Sequence, residues 1–134
     1  GVQLEVGSVA TDFEHRSFDV ELDLCRRYFQ RFNFTAANTC ISSGYIESST
    51  EFRTPFQFFK EMRDAPTFAV SSAAAFDAAN GNQSRTASGI AISNATAIGC
   101  ILIATTGSGL NTSINGGIFR NTSAPQHFDF SSEL

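Results

Sequence analysis

The chain is expected to be mainly β: an antiparallel β-sandwich, jelly-roll-like, preceded by one short N-terminal helix. Three observations predict this. From residue 33 to the C-terminus, short apolar or aromatic runs recur between clusters of Ser, Thr, Asn and Gly, the pattern of short strands joined by turns. Residues 17–32 are the one segment with apolar side chains at helical spacing. The hydrophobic bulk comes from 14 Phe, with 2 Tyr and no Trp, and Phe fills space between sheets without a polar atom that needs a partner. With 134 residues, 42% of them hydrophobic, a single domain can bury a core without disulfides or metals.

Taken in order, residues 2–6 (Val-Gln-Leu-Glu-Val) alternate as a strand with one buried face, and Gly7-Ser8 ends it. Residues 7–16 read as an extended connection. A lone strand needs a sheet, and the chain starts at Gly1 with Met62 as its sole methionine. Residues 1–16 are therefore expected to be strand and connection from an upstream domain of a longer protein. Residues 17–31 predict the helix, within a segment ending at Phe32. Ser17 is the N-cap, and Asp19 and Glu21 occupy the first turn, where the helix dipole favours acids. Phe18, Leu22, Cys25, Phe29 and Phe32 form one apolar face. Asp23 and Arg27, four apart, form a weak outer pair, and Arg26, Gln30 and Arg31 complete the polar side.

Residues 33–134 form the expected β-domain, with strands at 40–46, 51–59, 66–72, 88–93, 97–105, 114–120 and 126–130. Pro55 cannot donate to a ladder, so it implies an edge position or a break. The run 98–104 is nearly all apolar and predicts a central strand buried on both faces. Gly81, Gly107-Ser108-Gly109 and Gly116-Gly117 mark turns.

The net charge of −4 is scattered and no basic patch exists, which excludes nucleic acid as an expected partner. No apolar run approaches twenty residues, so no membrane-spanning helix is expected. Beyond residue 64 the charges are Asp77, Arg85, Arg120, Asp129 and Glu133 alone. A surface this poor in charge predicts coverage by identical neighbours. Cys25, Cys40 and Cys100 are too widely spaced for a disulfide framework or a zinc site, and are expected to be buried thiols.

His15 and His127 have no nucleophile-elbow sequence to serve. Asp19, Glu21 and Asp23 share one helix and cannot face each other across a cleft as a hydrolytic acid pair would. Glu47 and Glu51 read as strand-end charges. No catalytic residue, metal site or cofactor is expected. The five Asn-X-Ser/Thr sequons, at Asn33, Asn82, Asn94, Asn111 and Asn121, read as chance in an Asn/Ser/Thr-rich β-protein.

Two stretches carry a family likeness. The first runs Val2-Gln3-Leu4-Glu5-Val6-Gly7 through Ala10-Thr11-Asp12-Phe13-Glu14-His15-Arg16-Ser17 and on to Glu21-Leu22-Asp23-Leu24-Cys25-Arg26-Arg27-Tyr28. The second is Met62-Arg63-Asp64-Ala65-Pro66-Thr67, and the chain closes on His127-Phe128-Asp129-Phe130-Ser131-Ser132-Glu133-Leu134. Together they resemble the C-terminal β-rich module of tail-fibre and other virion structural proteins of tailed phages, aquatic ones especially. Ser131-Ser132 departs from that family, which more often has Ala-Asp there.

The resemblance implies a surface module on the virion, made in the host cytoplasm, often trimeric and without catalytic residues. It implies host-surface glycan recognition by a tail-fibre C-terminal domain. A head-decoration (cement) or fibre-trimerisation role is the alternative. The expected partners are identical copies in a homotrimer, other virion proteins and host-surface polysaccharide. Residues 70–125 are the part that varies in such proteins. Within it, Asn80, Asn82, Gln83, Arg85 and Asn111 are the candidate ligand residues, on two polar loops that suit glycan hydroxyls and ordinary turns equally well. Phe18, Leu22, Cys25 and Phe29 are the candidate packing face of the helix, against the β-domain or near a threefold axis.

Overall fold

A computed structural model describes residues 6, 7, 9, 11, 12, 15–80, 83–107, 109–113 and 115–132. Apart from Val6, the expected strand 2–6 lies outside the described residues, as does Asn82. The chain is mainly antiparallel β with one short helix. In order, the elements are helix α1 (Phe18–Arg26), strands β1 (Phe29–Phe34), β2 (Cys40–Ser48), β3 (Glu51–Gln57) and β4 (Thr67–Val70), a 3-10 turn (Ala73–Ala75), and strands β5 (Phe76–Asn80), β6 (Gln83–Ser93), β7 (Gly99–Thr106), β8 (Gly116–Asn121) and β9 (Gln126–Ser131). Where the alternation predicts two opposed sheets, six strands close into a barrel in the order β2-β3-β7-β6-β5-β8. A separate three-stranded sheet, β1-β9-β4, covers one of its ends. Irregularities in the β2–β3, β2–β8 and β6–β7 ladders supply the local bending that closure requires.

The helix is shorter than its apolar spacing predicts. Ser17 does cap it, with Oγ accepting from Val20 N at 3.4 Å, but it ends at Arg26, and Phe29 and Phe32 belong to β1. Phe29–Phe34 also alternates at period two, and β9 completes its ladder in antiparallel register from Phe29↔Ser131 to Phe34↔Gln126. That partner lies far away in sequence, so local periodicity does not reveal it. Asp23 pairs with Arg26 at 3.6 Å and Lys60 at 3.0 Å.

The helix face is also less covered than expected. Phe18 is 77% exposed, Phe29 is 46% exposed, Cys25 is exposed and Leu22 is half-buried. No residue of α1 is buried within the chain, so this face does not pack into the barrel.

The Phe side chains join the two sheets into one core. Phe52, Phe76 and Phe119 point into the barrel, Phe128 and Phe130 come from β9, and all five are 0% exposed. Phe128 stacks on Phe76 at 4.8 Å between centroids, Phe76 on Phe119 at 5.7 Å and Phe119 on Phe52 at 6.4 Å. Phe32 and Phe34 of β1 add edge contacts to Phe130 and Phe128. Gly44 and Gly117 face each other across β2 and β8. A Cβ on Gly117 would lie 2.6 Å from the Ala79 carbonyl oxygen and 2.9 Å from the Phe52 ring, so the ring occupies space that a side chain there would fill.

Other expectations change with the barrel. The run 98–104 is inside on one face alone: Cys100, Leu102 and Ala104 are buried, while Ile101 and Ile103 are half-buried on the outside and Ile98 is 62% exposed. Cys25 and Cys40 are exposed and Cys100 is the buried thiol, because only the last lies on an inward strand position. Pro55 sits mid-strand, beyond the last β2–β3 pair, Tyr45↔Arg53. There Ser42 Oγ donates to the Pro55 carbonyl at 3.1 Å and Thr54 Oγ1 to the Ser43 carbonyl at 2.8 Å. Hydroxyls thus replace ladder bonds where the ring removes a donor; the strand itself is neither broken nor at an edge, since Pro55 pairs with Ile101 of β7 in unbroken register, and only the ladder to β2 stops short of it.

Candidate ligand-binding end of the barrel

Strand direction fixes which connections share an end. The three-stranded sheet joins the barrel through residues 35–39, 58–66, 71–75 and 122–125. All of these meet barrel strands at one end, and the β6–β7 turn lies there too. The β2–β3, β5–β6 and β7–β8 connections are therefore at the other, distal end. Helix α1 is on the covered side, held by Lys60 Nζ to Asp23 at 3.0 Å and by Gln30.

The distal connections are tied to one another. Leu110 N donates to the Ser49 carbonyl at 3.0 Å and Thr106 N to the Thr50 carbonyl at 2.8 Å, which pins the β7–β8 connection to the β2–β3 turn. Asn80 Nδ2 donates to the Asn111 carbonyl at 3.0 Å, which pins it to β5. Ser113 N donates to Asn111 Oδ1 at 3.0 Å, a local turn bond of the kind Asn favours. Four predicted ligand residues, Asn80, Gln83, Arg85 and Asn111, thus come together at this end. Asn80, Gln83 and Arg85 are strand residues rather than loop residues, paired as Asn80↔Gln83 and Ala78↔Arg85.

Their side chains differ in exposure. Asn80 is 2% exposed, while Gln83, Arg85 and Asn111 are half-buried. Arg85 Nη1 donates to the Ser84 carbonyl at 3.1 Å. Gly109, with φ of +83°, lies against the guanidinium: a Cβ there would be 3.0 Å from Nε and 3.3 Å from Nη2. Asn80 Oδ1 and Gln83 Oε1 are buried acceptors without a hydrogen-bond partner. Leaving such a group unsatisfied typically costs about 1–3 kcal/mol.

On the outer face of the same hairpin, Asp77 is 8% exposed. Its Oδ2 accepts from Ser84 Oγ at 2.5 Å and lies 4.0 Å from Arg120 Nη2, while its Oδ1 is buried without a partner. The sequence reading missed this cluster. The signal for it is weak: Asp77 and Arg120 are two of the few charges in the second half of the chain.

Elsewhere, His127 Nε2 lies 3.8 Å from Asp129 Oδ2, but Asp129 already accepts two bonds from Arg31, at 2.7 and 2.6 Å. The Arg31 guanidinium holds the Asp129 carboxyl below its ordinary range. Asn121 of the last sequon is 0% exposed and bonds with Thr39 N, the Ala36 carbonyl and the Ser123 carbonyl, so in the fold it is a structural side chain rather than a glycan acceptor. Among the described residues no three His, Cys, Asp or Glu side chains gather as a metal site, and no helix is long and apolar enough to cross a membrane.

No protein-family model matches the chain, and no curated protein or solved structure matches it.

Proposed function

We propose that this chain is a non-enzymatic surface module of a tailed-phage virion, a tail-fibre C-terminal domain that recognises host-surface glycan as a homotrimer. The observation that carries the reading is the segregation of the molecule into two ends. Asn80, Gln83, Arg85 and Asn111 gather at the distal end, opposite the helix and the three-stranded sheet. Helix α1, which carries the Glu21–Tyr28 part of the fibre-like motif, is on the covered side. A module built this way presents its polar end away from the particle.

The trimer rests on the covered side. Phe18, Val20 and Leu24 of α1 are exposed, as are Phe29 and Phe59. Leu22, Phe29 and Phe59 border one shallow hollow of about 260 Å³. The apolar hollow of Leu22, Phe29 and Phe59 is a surface that contact between copies would cover. A single-copy mass by light scattering at micromolar concentration would count against it. The same surface favours the second reading, a head-decoration or fibre-trimerisation role through contacts with virion proteins.

Immunogold labelling of purified phage particles with an antibody to the barrel tests the location. Label at fibre tips is the expected result. Label spread over the head would replace receptor recognition with decoration. Unlabelled particles would overturn the virion reading.

A further inference from the structure

We infer that Asn115-Gly116, at the distal end of the barrel, is a self-modification site where the asparagine deamidates to aspartate and isoaspartate, and that the fold protects the chain's other Asn-Gly step, Asn80-Gly81. The modification is independent of what the module recognises, and it changes the charge of the end proposed for recognition.

The chemistry needs a carboxamide that can swing back over the next backbone nitrogen, and a next residue with no side chain to obstruct it. The Gly116 nitrogen bonds to Cγ of Asn115 and gives up its proton to base, while the Cγ–Nδ2 bond breaks and ammonia leaves. Water then opens the cyclic imide at either carbonyl. One opening gives aspartate; the other gives isoaspartate, in which the main chain runs through the former side chain. Water is the sole co-reactant, and nothing is oxidised or reduced.

The surroundings of Asn115 permit this. It is exposed, and its side chain makes no hydrogen bond among the described residues. A Cβ on Gly116 would meet nothing nearer than the Gly44 carbonyl oxygen at 4.0 Å, so the space over this backbone is open. Ile46 N donates to the Asn115 carbonyl at 3.2 Å, which makes the next pair, Tyr45↔Gly116, one without mutual hydrogen bonds. The Gly116 N–H therefore points to the β5 side, and the β5–β8 ladder ends short of it, at Ala79↔Ile118. The attacking nitrogen thus lies at the frayed start of β8, next to the irregular β7–β8 connection, where local opening costs least.

Asn80 has the same neighbour in sequence and the opposite setting. It is 2% exposed, it pairs with Gln83 in the β5–β6 ladder, and its Nδ2 donates to the Asn111 carbonyl at 3.0 Å. Turning its carboxamide toward the backbone breaks the bond that pins the β7–β8 connection to β5.

The products alter the distal end in two ways. Both replace a neutral amide with a carboxylate, in a half of the chain that has few charges. Isoaspartate also lengthens the main chain by a carbon atom beside the Ile46–Asn115 bond, where β8 first joins β2.

The test is a time course on the full chain in mildly alkaline buffer at physiological temperature, folded and in guanidinium, read by peptide mass spectrometry and by enzymatic methylation of isoaspartate. In the folded chain the Asn115 peptide should gain the mass difference between an amide and an acid, with isoaspartate present. The Asn80 peptide should convert more slowly by about tenfold or more, since it must wait for a larger opening. In guanidinium the two should convert at similar rates. Gly116→Ala, which the open space around Gly116 admits, should slow Asn115 by a similar factor with the melting temperature near that of the parent chain.

Equal rates for Asn115 and Asn80 in the folded chain would overturn the inference. So would an Asn115 that converts in guanidinium alone, or in neither state. Conversion that Gly116→Ala leaves unchanged, or that yields aspartate without isoaspartate, would mean direct hydrolysis of the side chain and remove Gly116 as the attacking group.

Discussion

Cys100 lies on the inward face of β7, and burial pushes its thiol up to about 11, while Cys25 and Cys40 are exposed. Thiolate is the reactive form, so the folded protein at pH 8 should react with a maleimide at two sites and show the third only on unfolding. Peptide mapping after a short pulse checks it, and equal labelling of all three would refute the inward position of Cys100. The expectation that every cysteine is buried treated them as small hydrophobes alike, and it held only where strand alternation pointed a thiol inward. Asp129 offers a second residue-level test. Hydrogen bonds from Arg31, and the charges of Arg31 and His127, lower its pKa in the fold. A carboxyl lowered in the folded state stabilises fully above its unfolded pKa of about 3.9, and loses that contribution as pH falls through the folded value. Between about pH 5 and pH 2 the melting temperature of the parent chain should therefore fall more steeply than that of Asp129→Asn. Parallel curves would show that this pair contributes nothing measurable. The sequence offered no hint of the pairing, because Arg31 and Asp129 meet only once β1 lies beside β9.

Among the elements, β1 shows how tertiary pairing overrides local periodicity. Its Gln30 is 2% exposed and makes three bonds: Nε2 to the Arg26 carbonyl at 3.0 Å and the Lys60 carbonyl at 2.7 Å, and Oε1 from Phe59 N at 2.9 Å. One side chain thereby ends α1, starts β1 and fixes the segment that follows β3. Read as helix, Gln30 belonged to the polar face; in the fold it is the most buried residue of β1. Gln30→Leu keeps the volume but leaves three backbone groups without partners, and should lower stability by about 2 kcal/mol or more. Urea unfolding checks this, and a loss below about 0.5 kcal/mol would mean that water reaches those groups. The strands that were legible, β2, β3, β4, β6, β7, β8 and β9, have aliphatic or aromatic runs bounded by Gly, Pro or Ser/Asn clusters. β5 was not legible, because Phe-Asp-Ala-Ala-Asn has a single large apolar residue and draws its order from β6 and β8 on either side. Ser132 is likewise structural: its N donates to the Tyr28 carbonyl at 2.8 Å and its Oγ accepts from Asp64 N at 3.1 Å.

For the whole molecule, the high Phe content was the best guide to its build, though not to its closure. Alternating strands rich in Phe fit a sandwich and a barrel equally well, and the choice depends on whether β2 finds β8 across the sheet. It does so through the pair Gly44–Gly117 and a bulge; the sequence marks Gly116-Gly117 as a turn, whereas the fold places both in β8. What closure produces is a core that crosses between sheets, since Phe128 belongs to β9 but stacks at 4.8 Å on Phe76 of the barrel and packs on Phe34 and Phe68 beside it. If that ring joins the two sheets energetically as it does spatially, they unfold together. In guanidinium, the exposure of Cys100 reports on the barrel, and the fluorescence of Tyr28, measured in a Tyr45→Phe background, reports on the end of the three-stranded sheet. The two transitions should share one midpoint, as two-state unfolding requires. Phe128→Ala removes a fully buried ring and should lower stability by about 3–5 kcal/mol. It should also loosen the sheet before the barrel, so that the tyrosine transition moves to lower denaturant than the thiol transition. Separate midpoints already present in the parent chain would mean that the barrel stands without its cover. A Phe128→Ala protein whose two transitions still coincide would place the coupling instead in β1, through Phe32, Phe34 and Gln30.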